Sequence, residues 1–165
     1  MARNATKAAV RETGKRTTGL DLGDQHSDYY TLDQAGEEVK SGRVKTSREA
    51  LGKRFGGGEP MRVVIEAGTH SPWVSRLLAG LGHEVIVANP RKVRLISDNE
   101  GKDDPVDAEL LARLGRVDVK LLSPIKHRGA EAQADLAVIR ARDALVGART
   151  QLVNHVRGAV KSLGS

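Results

Sequence analysis

MRVVIEAGTHSPWVSRLLAGLGHEVIVANP, residues 61–90, reads as strand, helix, strand. MRVVIEAG (61–68) is an apolar run of strand length, the pattern of a strand buried in a sheet. HSPWVSRLLAGLG (70–82) has helical spacing, with Ser71 as its cap, Pro72 at the first helical position and glycine near its end. EVIVANP (84–90) is a second buried strand. A strand–helix–strand unit of this length pairs its two strands in parallel.

Upstream the pattern changes. TTGLDLG (17–23), DYYTLDQ (28–34) and EVKSGRVKT (38–46) are short strand-like runs with tight connections, an antiparallel meander. SREALGKRF (47–55) has a serine cap and helical spacing, and GGGEP (56–60) ends it. A meander joined to a βαβ unit predicts an α/β fold with a mixed sheet flanked by helices over 17–125. Residues 1–16 are polar and aperiodic and are expected to be a disordered basic tail.

The segment 126–165 differs again. Between Glu131 and Leu163 there is no proline, and apolar pairs recur every seven residues at Val138–Ile139, Leu145–Val146, Leu152–Val153 and Ala159–Val160. That spacing predicts one long coiled-coil-like helix. Arg142 and Arg149 interrupt the seam, so a homo-oligomer and packing against a partner helix are both open.

Composition narrows the function classes. The 165 residues are 39% hydrophobic and only 2% aromatic, so aliphatic side chains must build the core. No apolar run of membrane-spanning length and no signal pattern occurs, which predicts a soluble, non-exported chain. With no cysteine, carboxylates and five histidines remain as metal ligands. The net charge of +6 favours a polyanionic partner. Its distribution says more. Arg3, Lys7, Arg11, Lys15 and Arg16 crowd one end, and Lys126, Arg128, Arg140, Arg142, Arg149, Arg157 and Lys161 the other. The notable acids lie between, as in a metal site held between phosphate-gripping flanks.

Asp21 interrupts the apolar strand TTGLDLG and would stand on the face opposite its leucine neighbours. Glu66 ends VVIE, where a charge is costly unless paired, solvated or coordinated, and strand ends are where α/β sheets hold ligands. In NEGKDDPVDAELLARL (99–114), Asp104 falls at a helix N-cap, with Pro105 at the first position and Asp107 at the third. Capping and the helix dipole suffice to explain those two. The roles are compatible, because residues three apart share a helix face. Asp21, Glu66, Asp104 and Asp107 together offer the hard oxygen donors that Mg²⁺ prefers, in a one- or two-metal arrangement.

TTGLDLG, RVVIEAGTHSPWVSRLLAGLGHEVIVANP, GKDDPVDAELLARL and the helix containing RARDALVGARTQLVNHVRGAVKSLG, in that order, resemble the IS110-family transposases. Lys102, Asp104, Asp107 and Ala108 fit the family's spacing, and Asp103 falls outside it. The resemblance implies an RNase H-like (RuvC-like) domain with a catalytic and metal-binding Asp-Glu-Asp-Asp set at Asp21, Glu66, Asp104 and Asp107. It further implies Mg²⁺ as cofactor, with Mn²⁺ substituting, DNA transposition guided by a structured bridge RNA, and a prokaryotic cytoplasmic setting. Nucleic-acid contacts are expected at Arg140, Arg142, Arg149, Arg157 and Lys161. Such transposases continue into a domain bearing a nucleophilic serine. Neither Ser162 nor Ser165 lies in that motif, so a truncated product and a free-standing RuvC-like piece are both expected possibilities.

Three alternatives stand beside this one. The chain could be a non-catalytic nucleic-acid-binding or oligomerisation module, indifferent to loss of Asp21 and Glu66. Cleavage by the isolated domain would favour a resolvase-like nuclease. TTGLDLGDQH also resembles the first phosphate loop of sugar kinases and Hsp70-like ATPases, but no second Asp-Gly phosphate motif is evident. Among other residues, His70 is expected at a cap or the surface and Trp73 in the core. His26, His83, His127 and His155 have no metal-ligand spacing. Lys92 and Arg94 either touch nucleic acid or are exposed on a helix.

Overall fold

The computed structural model describes residues 15–97 and 104–164, without the side chains of 95–97 and 104–106. Most of the basic tail, Lys102 and Asp103 therefore lie outside the described residues. The chain divides into two compact units, one ending at Lys126 and the other beginning at His127.

In the first unit, β1 (Thr17–Leu22), β2 (His26–Leu32) and β3 (Glu38–Lys45) form the meander, and α1 (Arg48–Phe55) follows. Ser47 caps α1 as its position suggested, accepting from the Ala50 N–H at 3.2 Å. Next come β4 (Arg62–Glu66), α2 (Ser71–Gly80) and β5 (Glu84–Ala88). The five strands form one sheet in the order β3-β2-β1-β4-β5. β1 runs antiparallel to β2 and parallel to β4, and β4 runs parallel to β5. This mixed order, with helices on both faces, is the RNase H-like arrangement.

The two faces have separate cores, as strand alternation requires. On one, Leu20, Val63, Ile65 and Val87 pack with Leu51 and Phe55 of α1 and Val74 and Leu78 of α2. Trp73 packs at its margin, partly buried. On the other, Val64 and Ala88 meet Val93 of α3 (Pro90–Ser97) and Leu111 of α4 (Asp104–Val117). Leu122, in the 3₁₀ turn Val119–Leu122, closes that core.

α4 comes unusually close to the sheet. A Cβ on Gly19 would collide with the Ala108 carbonyl oxygen and lie 2.6 Å from the Ala112 nitrogen, and one on Gly115 would strike Val64. Arg62 fixes the far end of α4 by donating to the Gly115 carbonyl at 2.9 Å and to Glu84 at 3.0 Å.

Several local features differ from the sequence reading. Ser71 is not the α2 cap: His70 holds that position and makes no side-chain cap bond. The Ser71 hydroxyl instead accepts from the Gly68 N–H and donates to the Gly68 carbonyl, closing the loop after β4. α4 begins at Asp104 rather than Pro105, a one-residue shift of the kind helix ends commonly show. α3 carries Lys92 and Arg94 exposed, one of the two readings set out for them, whereas the 3₁₀ turn was not foreseen. Residues 122–125 also cover β5, with Asn89 N–H donating to Leu122 O and Ile125 N–H to Val87 O. Short elements of this kind follow from the edge they cover, and they carry little periodic signal of their own.

The second unit is α5 (Ala130–Ser162), 33 residues of continuous helix with no buried residue. Its apolar seam is exposed, from 39% at Val153 to 72% at Leu145. Among the described residues no helix is long and apolar enough to cross a membrane.

Candidate carboxylate site

The close approach at Gly19 sets where the carboxylates stand. Ala108 and Ala112 meet Gly19, whereas Gly115 meets Val64 and, at 3.6 Å, Thr17. α4 therefore runs antiparallel to β1, and its first turn lies at the end of β1 that carries Asp21. Alternation puts Asp21 on the same face as Gly19, and Glu66 on the same face as Val64. The register pairs Leu20 with Ile65, so Asp21 and Glu66 are the next residues on two adjacent parallel strands. Both are half-buried, as is Asp107.

Glu66 and Asp107 act on each other electrostatically. Burial, together with the Asp107 carboxylate, pushes the Glu66 carboxyl above its ordinary range, while Arg94 of α3 pulls it down. The fold thus brings Asp21, Glu66 and Asp107 to one end of one face. Asp104 occupies the first residue of α4, one turn before Ala108, and its side chain lies outside the described residues.

The donor chemistry suits a hard cation, and the Glu66 carboxyl is raised first by burial and then by Asp107. Among the described residues, however, no three carboxylate or histidine side chains group closely enough to hold one ion.

His70 and His83 have structural partners. His70 Nε2 lies 3.3 Å from Asp24 Oδ1, and His70 Nδ1 accepts from the Trp73 indole N–H at 3.2 Å. The first contact ties the turn after β1 to the start of α2, just beyond Asp21 and Glu66. His83 is buried, with Nδ1 accepting from the Met61 N–H and Nε2 donating to the Phe55 carbonyl at 2.8 Å. The expected phosphate contacts Arg140, Arg142, Arg149, Arg157 and Lys161 are all exposed on α5.

A family model for the transposases of IS110 elements matches residues 18–164. The chain belongs to the IS110 transposase family. Among its relatives is the protein y4pF/y4sB of Sinorhizobium fredii, named as a transposase, which is 34% identical over 74% of this chain and 31% of that protein. The Yersinia enterocolitica transposase for insertion sequence element IS1328 is 28% identical over 88% of this chain and 42% of its own length. This IS110-family chain thus spans between about a third and two-fifths of these relatives. Among solved structures it is similar to Thermus thermophilus RuvC in complex with a Holliday junction substrate. That likeness has a TM-score of 0.43 at 15% identity and covers 59% of this chain and 90% of that one.

The sequence reading missed two features around the carboxylates. Arg94 bears on Glu66, and the turn residue Asp24 meets His70. Nothing in their local spacing could have signalled either, since each joins elements distant in sequence.

Proposed function

We propose that the chain is the RuvC-like portion of a DNA transposase, using Asp21, Glu66, Asp104 and Asp107 as catalytic metal ligands for phosphodiester cleavage and strand transfer. The supporting observation is that Asp21 and Glu66 end neighbouring parallel strands on the face to which α4 brings its first turn. Mg²⁺, with Mn²⁺ as a substitute, would supply an activated water or hydroxyl and charge stabilisation at the phosphate. The chain's own part is to hold carboxylates on rigid strand ends and a helix start, half-shielded from water, so that little reorganisation is needed on binding. Arg94 limits the mutual repulsion of these acids.

The deciding experiment is thermal unfolding with and without Mn²⁺ for the wild type and Asp104→Asn. Asparagine keeps the size and polarity of the side chain at the helix start and lacks the charge, so the change spares the local shape and weakens ligation. We expect Mn²⁺ to raise the wild-type midpoint and to leave the variant unmoved, as linkage requires of a ligand that binds the folded state. Equal responses would remove Asp104 from the ligand set.

DNA and a structured guide RNA are the proposed partners, in a bacterial cytoplasm. Arg140, Arg142, Arg149, Arg157 and Lys161 are the proposed phosphate contacts. Replacing Arg142, Arg149 and Arg157 together by glutamate should weaken RNA binding at least about tenfold at moderate salt. Unchanged binding in an electrophoretic shift would remove the assignment. The exposed apolar seam of α5 favours a second reading, a binding or oligomerisation module without chemistry. That reading predicts nucleic-acid affinity and oligomeric state both indifferent to Asp21→Asn and Glu66→Gln, with no cleavage by the wild type.

A further inference from the structure

The carboxylate row does not stop at Asp21. Across the antiparallel pairing Asp21 stands opposite Asp28 on β2, and Asp28 stands opposite Arg43 on β3. Alternation keeps all three on the face that α4 covers, in line with Glu66 on β4. Directly opposed carboxylates on neighbouring strands repel. Asp28 is poorly screened, its side chain only 16% exposed.

Arg43 resolves this conflict. Its Nε donates to Asp28 Oδ1 and its Nη2 to Oδ2, each at 2.9 Å, a bidentate fork that engages both oxygens. The Arg43 side chain is 57% exposed on the edge strand, so holding it there costs little desolvation. The pair brings no net charge to the row, and the Asp28 oxygens are turned to β3 rather than to Asp21.

We infer that Arg43 and Asp28 form a positioning pair that sets the charge beside Asp21 and keeps a fifth carboxylate from competing for the cation. This rests on the metal-binding reading of the site. Ligating carboxylates depend on such outer partners for their orientation and affinity. Without the fork, Asp28 offers an un-neutralised carboxylate next to Asp21, and the ion is held more tightly but off the proposed set.

The test is calorimetric titration of the 165-residue chain with Mn²⁺ alone, for the wild type, Arg43→Gln, Asp28→Asn and the double variant. Arg43→Gln should tighten binding about fivefold, the order expected when one positive charge is removed from the neighbourhood of a divalent ion in a water-like dielectric. Asp28→Asn removes one negative charge beside Asp21 and should weaken binding by a similar factor. The double variant, net neutral like the native pair, should return to within about twofold of the wild type. A purely structural role would move both single variants the same way. Arg43→Lys keeps the charge and loses the fork, and should tighten binding only about twofold. It carries the test if Arg43→Gln fails to melt cooperatively. Single variants that shift together, or do not shift while the wild type binds, overturn the pair alone. A wild type that takes up no Mn²⁺ overturns the metal reading and the pair with it.

Discussion

Gly19→Ala is expected to lower the thermal midpoint of the first unit by about 10 °C, a loss of about 3 kcal/mol. The new methyl group would meet backbone, the Ala108 carbonyl and the Ala112 nitrogen, and no rotamer change relieves a clash with backbone. Either β1 or α4 must move. Since β1 lies at the centre of the sheet and α4 also meets Val64 through Gly115, neither moves alone. α4 carries Asp104 and Asp107, so the displacement should also blunt the response to Mn²⁺. Circular-dichroism melting with and without the ion measures both. The control is Gly52→Ala in α1, where nothing lies within 4 Å of the added Cβ and helix propensity favours alanine. That change should leave the midpoint level or raise it slightly. A Gly19→Ala midpoint within about 2 °C of the wild type would mean that α4 does not lie against β1 as described.

Glu66→Gln is expected to separate stability from function. The Glu66 carboxyl titrates higher in the folded chain than in the unfolded one, because burial and Asp107 disfavour its charged form. The folded state therefore binds more protons across the window between the ordinary and the raised value. Stability falls as pH rises through that window, and the cost is fully present above it. Glutamine carries no charge and escapes the cost. Without metal, the variant should melt on the order of 1–3 °C above the wild type at pH 7–8, an amount kept small because the site is partly solvated. The difference should close as pH falls below the ordinary glutamate range. With Mn²⁺ the proposed metal reading expects the order to reverse, because glutamine is a poorer ligand than glutamate. Cleavage of labelled DNA, where the wild type supports it, should drop at least about a hundredfold. A variant that gains no stability without metal would show that Glu66 is not held against its charge. One that keeps the Mn²⁺ response would remove Glu66 from the ligand set.

Much of this architecture was legible along the chain because it rests on local periodicity. The run RVVIE, the proline-started SPWVSRLL and EVIVA each carry their own period, and together they require a parallel β–α–β unit. The seven-residue repeat likewise gave α5 as one helix. The bounds of α3, the 3₁₀ turn and the segment over β5 were not legible, because each is defined by the surface it covers. Ser71 was misassigned because a hydroxyl before a proline suits two jobs, and only the loop geometry at Gly68 selects between them.

Sequence alone determined the residue types at the site: a carboxylate ending one strand-like run, another interrupting a second, and two at a helix start. Only the tertiary structure decided that Asp21 and Glu66 sit side by side. The parallel pairing of β1 with β4 spans a meander and a helix, and no local pattern specifies that register. Tertiary structure also decided that Asp107 bears on Glu66, because the missing side chain at Gly19 lets α4 descend onto the sheet. It decided, finally, that Arg43 answers Asp28 across two strands. Charge–charge contacts depend on distance, and the chain fixes these distances only when it folds.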